Sequence, residues 1–212
     1  MDLELFSNVL VLAPHTDDGE FGCGGTMARF AEHGARVTYA AFSTATRSVP
    51  EGFPRDILAT EVRQATAQLG IAGQDLRVFD FEVRTFPANR QDILEKLIEI
   101  QQELKPDLVL MPSLNDLHQD HHTIAEEGLR AFKRTTVLGY EIPWNNLTFH
   151  HQVYVRLESR HIDRKVAALA CYQSQKHRNY AREDYIRNLA FTRAIDVGCE
   201  LAEVFELYRW IV

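Results

Sequence analysis

Cysteine is scarce and poorly placed for bridging. Cys23, Cys171 and Cys199 are an odd number, widely spaced and without a CxxC pair, so neither a disulfide framework nor a thiolate metal site is expected. They read as ordinary buried thiols. Basic blocks are missing as well. With 23 Lys and Arg against 30 Asp and Glu, the formal charge is -7, and no cationic stretch is available to neutralise phosphates, which argues against a nucleic-acid or acidic-membrane partner. No apolar run approaches the ~20 residues of a membrane helix. Residues 1–5 lack a basic segment leading into an apolar one, so the expectation is a cytoplasmic protein without a membrane span. With 45% hydrophobic residues and no linker-like composition, the 212 residues are read as a single domain spanning 1–212.

Strand-like and helix-like patterns alternate through most of the chain. Strands are expected at 8–13, 36–42, 76–81, 107–111 and 136–142, and helices at 24–33, 55–69, 89–104 and from the histidine-rich segment to about 134. After Pro143-Trp144-Asn145-Asn146 the order loosens. An added strand is expected over 151–157, helices near 159–172 and 182–197, and a last strand near 203–208. Repeated βα units imply a Rossmann-like α/β fold, mainly parallel and doubly wound, in the order 3-2-1-4-5 plus C-terminal additions. In that order strands one and four are neighbours. The crevice beyond their C-terminal ends is where such sheets bind ligands.

The loops that follow those two strands carry the chemistry. Pro14-His15-Thr16-Asp17-Asp18 follows the first apolar run and leads into Gly22-Cys23-Gly24-Gly25. Asn115-Asp116-Leu117-His118-Gln119-Asp120-His121-His122 follows the fourth. A hydrolytic zinc site uses three imidazole or carboxylate ligands and keeps one position for water. His15, Asp18 and His121 supply two nitrogens and one oxygen for Zn2+, one per chain, with another divalent ion as the alternative. Asp17 is the candidate base for the attacking water. His118 is placed to stabilise charge on the carbonyl oxygen and to protonate the leaving amine, with Asp120 beside it to orient the ring and raise its basicity. The glycines do not fit G-x-G-x-x-G and read as close packing of helix on strand. His122, His150, His151 and His177 are read as surface or core histidines.

Together, Pro14-His15-Thr16-Asp17-Asp18 and His118-Gln119-Asp120-His121 resemble the two signature motifs of the PIG-L/LmbE-like zinc de-N-acetylases. Gly22-Cys23-Gly24-Gly25-Thr26, the helix holding Glu61, and Ala202-Glu203-Val204-Phe205 are also similar to the family pattern. The resemblance implies a Rossmann-like fold and removal of acetyl from N-acetylglucosaminyl compounds. It implies His15, Asp18 and His121 as zinc ligands, Asp17 as general base, and His118 as the group that stabilises the oxyanion and assists the leaving amine. It also suggests an arginine near Arg47 that contacts a sugar hydroxyl or phosphate, and it allows a homo-oligomer. Two positions depart from the pattern. Thr16 replaces the usual second proline, and Gly19 stands where glutamate is usual, with Glu20 one place later; altered support of the loop is expected.

Tyr140 and Trp144, after strand five, are candidates for an apolar platform under a pyranose ring. The expected partner is a small N-acetylated sugar or its conjugate. Two other readings stay open: a non-hydrolytic Rossmann-type sugar- or nucleotide-binding protein, and a metal hydrolase acting on another amide or an ester.

Overall fold

In the computed structural model, which describes residues 5–211, the chain forms one seven-stranded sheet with helices on both faces. Residues 1–4, read above for the lack of a leader, and Val212 lie outside the described residues. Strands β1 (Asn8–His15), β2 (Arg36–Ser43), β3 (Leu76–Val78), β4 (Leu108–Pro112) and β5 (Thr136–Tyr140) pair in parallel, in the order β3-β2-β1-β4-β5. Strands β6 (Val153–Leu157) and β7 (Leu201–Arg209) extend the β5 edge. β7 lies between β5 and β6 and runs antiparallel to both. The expected order of the parallel strands is the observed one. No helix among the described residues is long and apolar enough to cross a membrane.

The two faces of the sheet follow from side-chain alternation. In β1, Val9, Val11 and Ala13 point into one core, and Leu10 and Leu12 into the other. The first core is covered by α1 (Asp18–Glu32), α2 (Ile57–Gln68) and α5 (Ser159–Ala170), the second by α3 (Arg90–Leu104) and α4 (Gln119–Ala131). Helix α6 (Glu183–Ile195) packs beside β7.

Helix α1 starts at Asp18, six residues before the expected 24, and is interrupted at Cys23, where the backbone leaves helical geometry (φ -147°, ψ 28°). A helix restarted after such a break has orphan N–H groups. The Glu203 carboxylate on β7 accepts from the backbone N–H of Gly25 (3.0 Å) and Thr26 (2.7 Å) and from the Thr26 hydroxyl (2.6 Å). Lys165 on α5 donates to the Phe21 carbonyl and to Glu203, both at 2.7 Å. The C-terminal additions therefore hold the first-motif helix in place through a buried ion pair.

The glycines of this helix serve close packing. A Cβ on Gly22 would fall 2.2 Å from the Tyr140 ring, and one on Gly25 would fall 2.6 Å from Leu157. Removing one partner of a buried ion pair leaves the other charge uncompensated. Glu203→Ala is expected to lower unfolding free energy by about 3–5 kcal/mol in urea titration. Glu51→Ala, at an exposed loop position, should change it by less than about 0.5 kcal/mol.

Candidate metal centre and active-site cleft

His15 is the last residue of β1, and the tight loop Thr16-Asp17 returns the chain into α1 so that Asp18 faces back toward His15. The Asp18 carboxylate accepts from the His15 backbone N–H at 2.8 Å. On the neighbouring strand, β4 ends at Pro112, and the loop 113–118 leads to His118 as the N-cap of α4, with His121 in the first turn. Two loops about a hundred residues apart in sequence thus meet at the carboxyl edge of adjacent strands.

Their donor atoms converge. His15 Nδ1 lies 3.0 Å from Asp18 Oδ2, His121 Nε2 lies 3.1 Å from the same oxygen, and the two ring nitrogens are 3.3 Å apart. The outer nitrogen of each ring is held by another carboxylate. His15 Nε2 is 3.0 Å from Asp120 Oδ2, and His121 Nδ1 is 2.8 Å from Asp116 Oδ2. Outer N–H groups donated to carboxylates leave the inner lone pairs facing one point, the arrangement that fixes metal-ligating histidines.

The electrostatics ask for a cation. Burial disfavours charge on His121, yet Asp18 and Asp116 outweigh it and raise the imidazole to about 10. His15 is raised against its own burial by Asp18 and Asp120. Burial works against the Asp18 anion, but His121 and His15 hold its carboxyl well below the usual range. Positive charge at the centre of this trio is therefore strongly favoured.

Tetrahedral bonds of ~2.0–2.2 Å place ligand atoms roughly 3.3–3.6 Å apart, close to the spacing found, so a divalent cation fits with little movement. A looser trio exists as well, since nitrogens of His15, His118 and His121 lie within 4.8 Å of one another. The tighter trio is the better cage. His118 Nδ1 is occupied, because it accepts the backbone N–H of Asp120 at 3.2 Å as the cap of α4.

That cap settles the tautomer of His118. With Nδ1 accepting, the proton of the neutral ring sits on Nε2, which is then a donor. Burial, followed by the charges on His121 and His15, lowers the imidazole to about 4. The ring is thus a neutral hydrogen-bond donor. Asp120, expected to orient His118 and raise its basicity, makes no side-chain hydrogen bond to the ring, and its charge opposes the lowering of the imidazole without overcoming it. It bonds to His15 and to the backbone N–H of Arg84 and Phe86. The sequence interval between Asp120 and His118 is too short to turn that carboxylate back onto the ring once α4 has begun.

Asp17 makes no side-chain capping bond to α1, which removes the simple helix-cap explanation for it. Burial and then the neighbouring Asp18 carboxylate push its carboxyl up to about 6, with His15 and Arg178 opposing. Beneath the loop, the Tyr39 and Tyr172 hydroxyls both approach the Thr16 carbonyl, at 2.9 and 2.6 Å. Each also meets an oxygen of the fully buried Glu20. Two hydroxyl protons cannot serve four acceptor contacts, and a proton on Glu20 would supply a third. Burial accordingly pushes Glu20 up to about 8. The departure at Gly19 has the same origin. A side chain there would come within 2.5 Å of the Tyr39 ring, and the acid is instead buried one place later.

A cleft opens over this centre, lined by His15, Asp17, Asp18, His118 and His121 and walled by Trp144, Tyr180, Arg84 and Arg178. Trp144 lines it, stacked on Tyr180 with ring centroids 4.0 Å apart. Tyr140 does not. It is fully buried with its hydroxyl on the Leu12 carbonyl at 2.9 Å, because β5 carries it into the core against Gly22. Arg47 is exposed and ion-paired with Glu82, and the wall near it is formed by Ala45 and Ser48. Arg84 and Arg178 escaped the sequence reading. Neither lies in a motif, and only a left-handed backbone at Arg84 (φ 70°) and tertiary packing at Arg178 turn them inward.

The family model for "PIG-L: GlcNAc-PI de-N-acetylase" matches residues 10–132. An uncharacterized deacetylase of Escherichia coli K12, YaiS, is 26% identical over 170 residues, 78% of this chain and 90% of its own length. A probable N-acetyl-alpha-D-glucosaminyl L-malate deacetylase of Bacillus cereus is 27% identical over 139 residues, covering 60% of this chain and 61% of its own. Among solved structures, the N,N'-diacetylchitobiose deacetylase of Pyrococcus horikoshii superposes with a TM-score of 0.80 at 17% identity, over 97% of this chain and 85% of that one. GalB of Pseudomonas putida, a 4-carboxy-2-hydroxymuconate hydratase, does so with 0.74 at 21% identity, over 96% and 97%. At these identities the two structures establish the fold, which hosts more than one reaction. The family match spans more than half of the sequence and both histidine-bearing loops, and the chain belongs to the PIG-L family.

Proposed function

We propose that the protein is a zinc-dependent hydrolase that removes the acetyl group from an N-acetylglucosamine-type amino sugar or its conjugate, releasing acetate and a free amine. The observation that carries this reading is the three-donor centre of His15, Asp18 and His121, with Asp17 and His118 at its edge. Two imidazoles and one carboxylate suit zinc among divalent ions. The matched family and the relatives described as deacetylases support the amide as the bond broken. Because a hydratase shares the fold, the reaction rests on this donor set and the family, not on the architecture.

When bound, the cation would lower the pKa of a water toward ~7 and polarise the acetyl carbonyl. The chain's own groups do the rest. Asp17, unpaired and easily protonated, takes the proton of the attacking water. His118 presents its Nε2–H to the carbonyl oxygen as charge grows there, and as a neutral donor it needs no proton exchange to do so. Asp17, now protonated, returns the proton to the departing amine. The assistance to the leaving amine expected of His118 is therefore assigned to Asp17. Trp144 offers its exposed ring as the wall along a pyranose face.

Asp17→Asn is expected to lower acetate release by about 10²–10⁴-fold while the protein still holds about one metal per chain by elemental analysis; turnover near the parent rate would contradict the assignment. Asp116→Ala frees the outer nitrogen of His121 and should weaken metal affinity by ~10–100-fold in chelator competition. Unchanged affinity would remove Asp116 from the metal's support.

A further inference from the structure

Strand β7 carries two buried carboxylates, Glu203 and Glu206. Their odd interval puts them on opposite faces of the strand. Glu203 holds the restarted α1 behind the first loop. Glu206 reaches the second loop, and no step of the proposed reaction uses it.

Its Oε2 accepts from the Ser113 hydroxyl at 2.6 Å and from the Tyr208 hydroxyl, and its Oε1 from the Asn115 side-chain amide at 3.2 Å and the His150 backbone N–H at 3.1 Å. The two hydroxyls are acceptors in turn. Ser113 Oγ takes the Asn115 N–H at 3.0 Å, and the Tyr208 oxygen takes the Leu114 N–H at 2.8 Å. Tyr208 reaches that far because its ring lies over Gly139 of β5, where a Cβ would fall 2.6 Å from it. Ser113, Leu114 and Asn115, which link β4 to Asp116, therefore all hang from one carboxylate. With both oxygens committed, such a network is a rigid anchor.

What hangs from it is the support of a metal-facing ring. The Asp116 N–H donates to the Ser113 carbonyl at 3.2 Å. The Asp116 carboxylate takes the His118 N–H and holds His121 Nδ1, both at 2.8 Å. A shift of the turn 113–116 thus moves the group that sets the tautomer and angle of His121. A second contact, the Leu117 N–H on the Asn145 carbonyl at 3.1 Å, limits how far the turn can go.

We propose that Glu206 is a positioning residue for the metal centre: by anchoring residues 113–115 it holds Asp116 behind His121 and so raises the affinity for the cation. This inference rests on the reading of His15, Asp18 and His121 as a zinc site. It goes beyond that reading in tracing the site's strength to a strand that carries none of its ligands.

Zinc affinity is measured by chelator competition in the parent, Glu206→Gln, Asp116→Ala and the double variant. Asp75→Asn is the control, a buried carboxylate weakened at the β3 edge of the sheet, where it holds Arg36. Glutamine keeps the shape of Glu206 but replaces one acceptor oxygen by a donor. Glu206→Gln should bind zinc about 10-fold more weakly, the lower end of the range for groups behind metal ligands, and Asp75→Asn should bind it as the parent does. In the Asp116→Ala background the Glu206 substitution should add little, because both act on the same ring. A purely stabilising role lowers unfolding free energy without touching affinity, so parent-like affinity in Glu206→Gln overturns the proposal. Fully additive losses overturn it too, since Glu206 would then act by another route.

Hydrogen exchange in the metal-free proteins separates this inference from the zinc reading. The amides of Leu114, Asn115 and His118 should exchange at least about 10-fold faster in Glu206→Gln, the scale of one hydrogen bond to a charged acceptor, with those of Gly25 and Thr26 unchanged. A parent protein that binds no zinc contradicts the metal reading, whereas exchange unmoved at 114–118 contradicts the anchoring by Glu206 whatever the parent binds.

Discussion

The structure depends on three donor atoms that point at one another. With neither a metal ion nor added protons among them, His15 Nδ1, Asp18 Oδ2 and His121 Nε2 would set lone pairs against lone pairs at 3.0–3.3 Å, a cost that burial magnifies. The chain keeps them there by fixing each imidazole from behind, His15 with Asp120 and His121 with Asp116. Asp116 is buried and also accepts the His118 backbone N–H at 2.8 Å, so one carboxylate sets both the loop before α4 and the ring inside it. Asp120 likewise links His15 to the loop carrying Arg84. The three-donor centre and the cleft wall are therefore one network.

The rest of the fold supplies rigidity to the first loop. The Thr16 carbonyl is gripped by Tyr39 from β2 and by Tyr172 just beyond α5. Glu20, neutral and enclosed, completes that grip. One turn later Lys165 and Glu203 close the break at Cys23. Elements that look peripheral in the topology, α5 and β7, thus decide where Asp17 and Asp18 sit.

Much of this was legible in the sequence because it is local or topological. Apolar runs alternating with helical patterns imply five parallel strands and their crossovers, and the strand order places the loops after β1 and β4 side by side. His15, Asp18 and His121 converge for that reason. What escaped is what no local pattern encodes. Tyr140 has the composition of a platform residue, but its register in β5 buries it. Asp120 neighbours His118 in sequence, yet the start of α4 turns its carboxylate to His15. Arg84 needs a left-handed backbone to face the cleft, and Arg178 lies where the βα alternation has ended, so neither carried a signal. Glycine at position 19 became intelligible only when Tyr39, twenty residues on, was found in the space a side chain would need.

An anomalous difference map recorded at the zinc edge from crystals of the metal-loaded protein tests the central claim most directly. The account predicts one peak, at ~2.0–2.2 Å from His15 Nδ1, Asp18 Oδ2 and His121 Nε2. A cation held by His118 in place of Asp18, or no peak between the two imidazoles of residues 15 and 121, would contradict it.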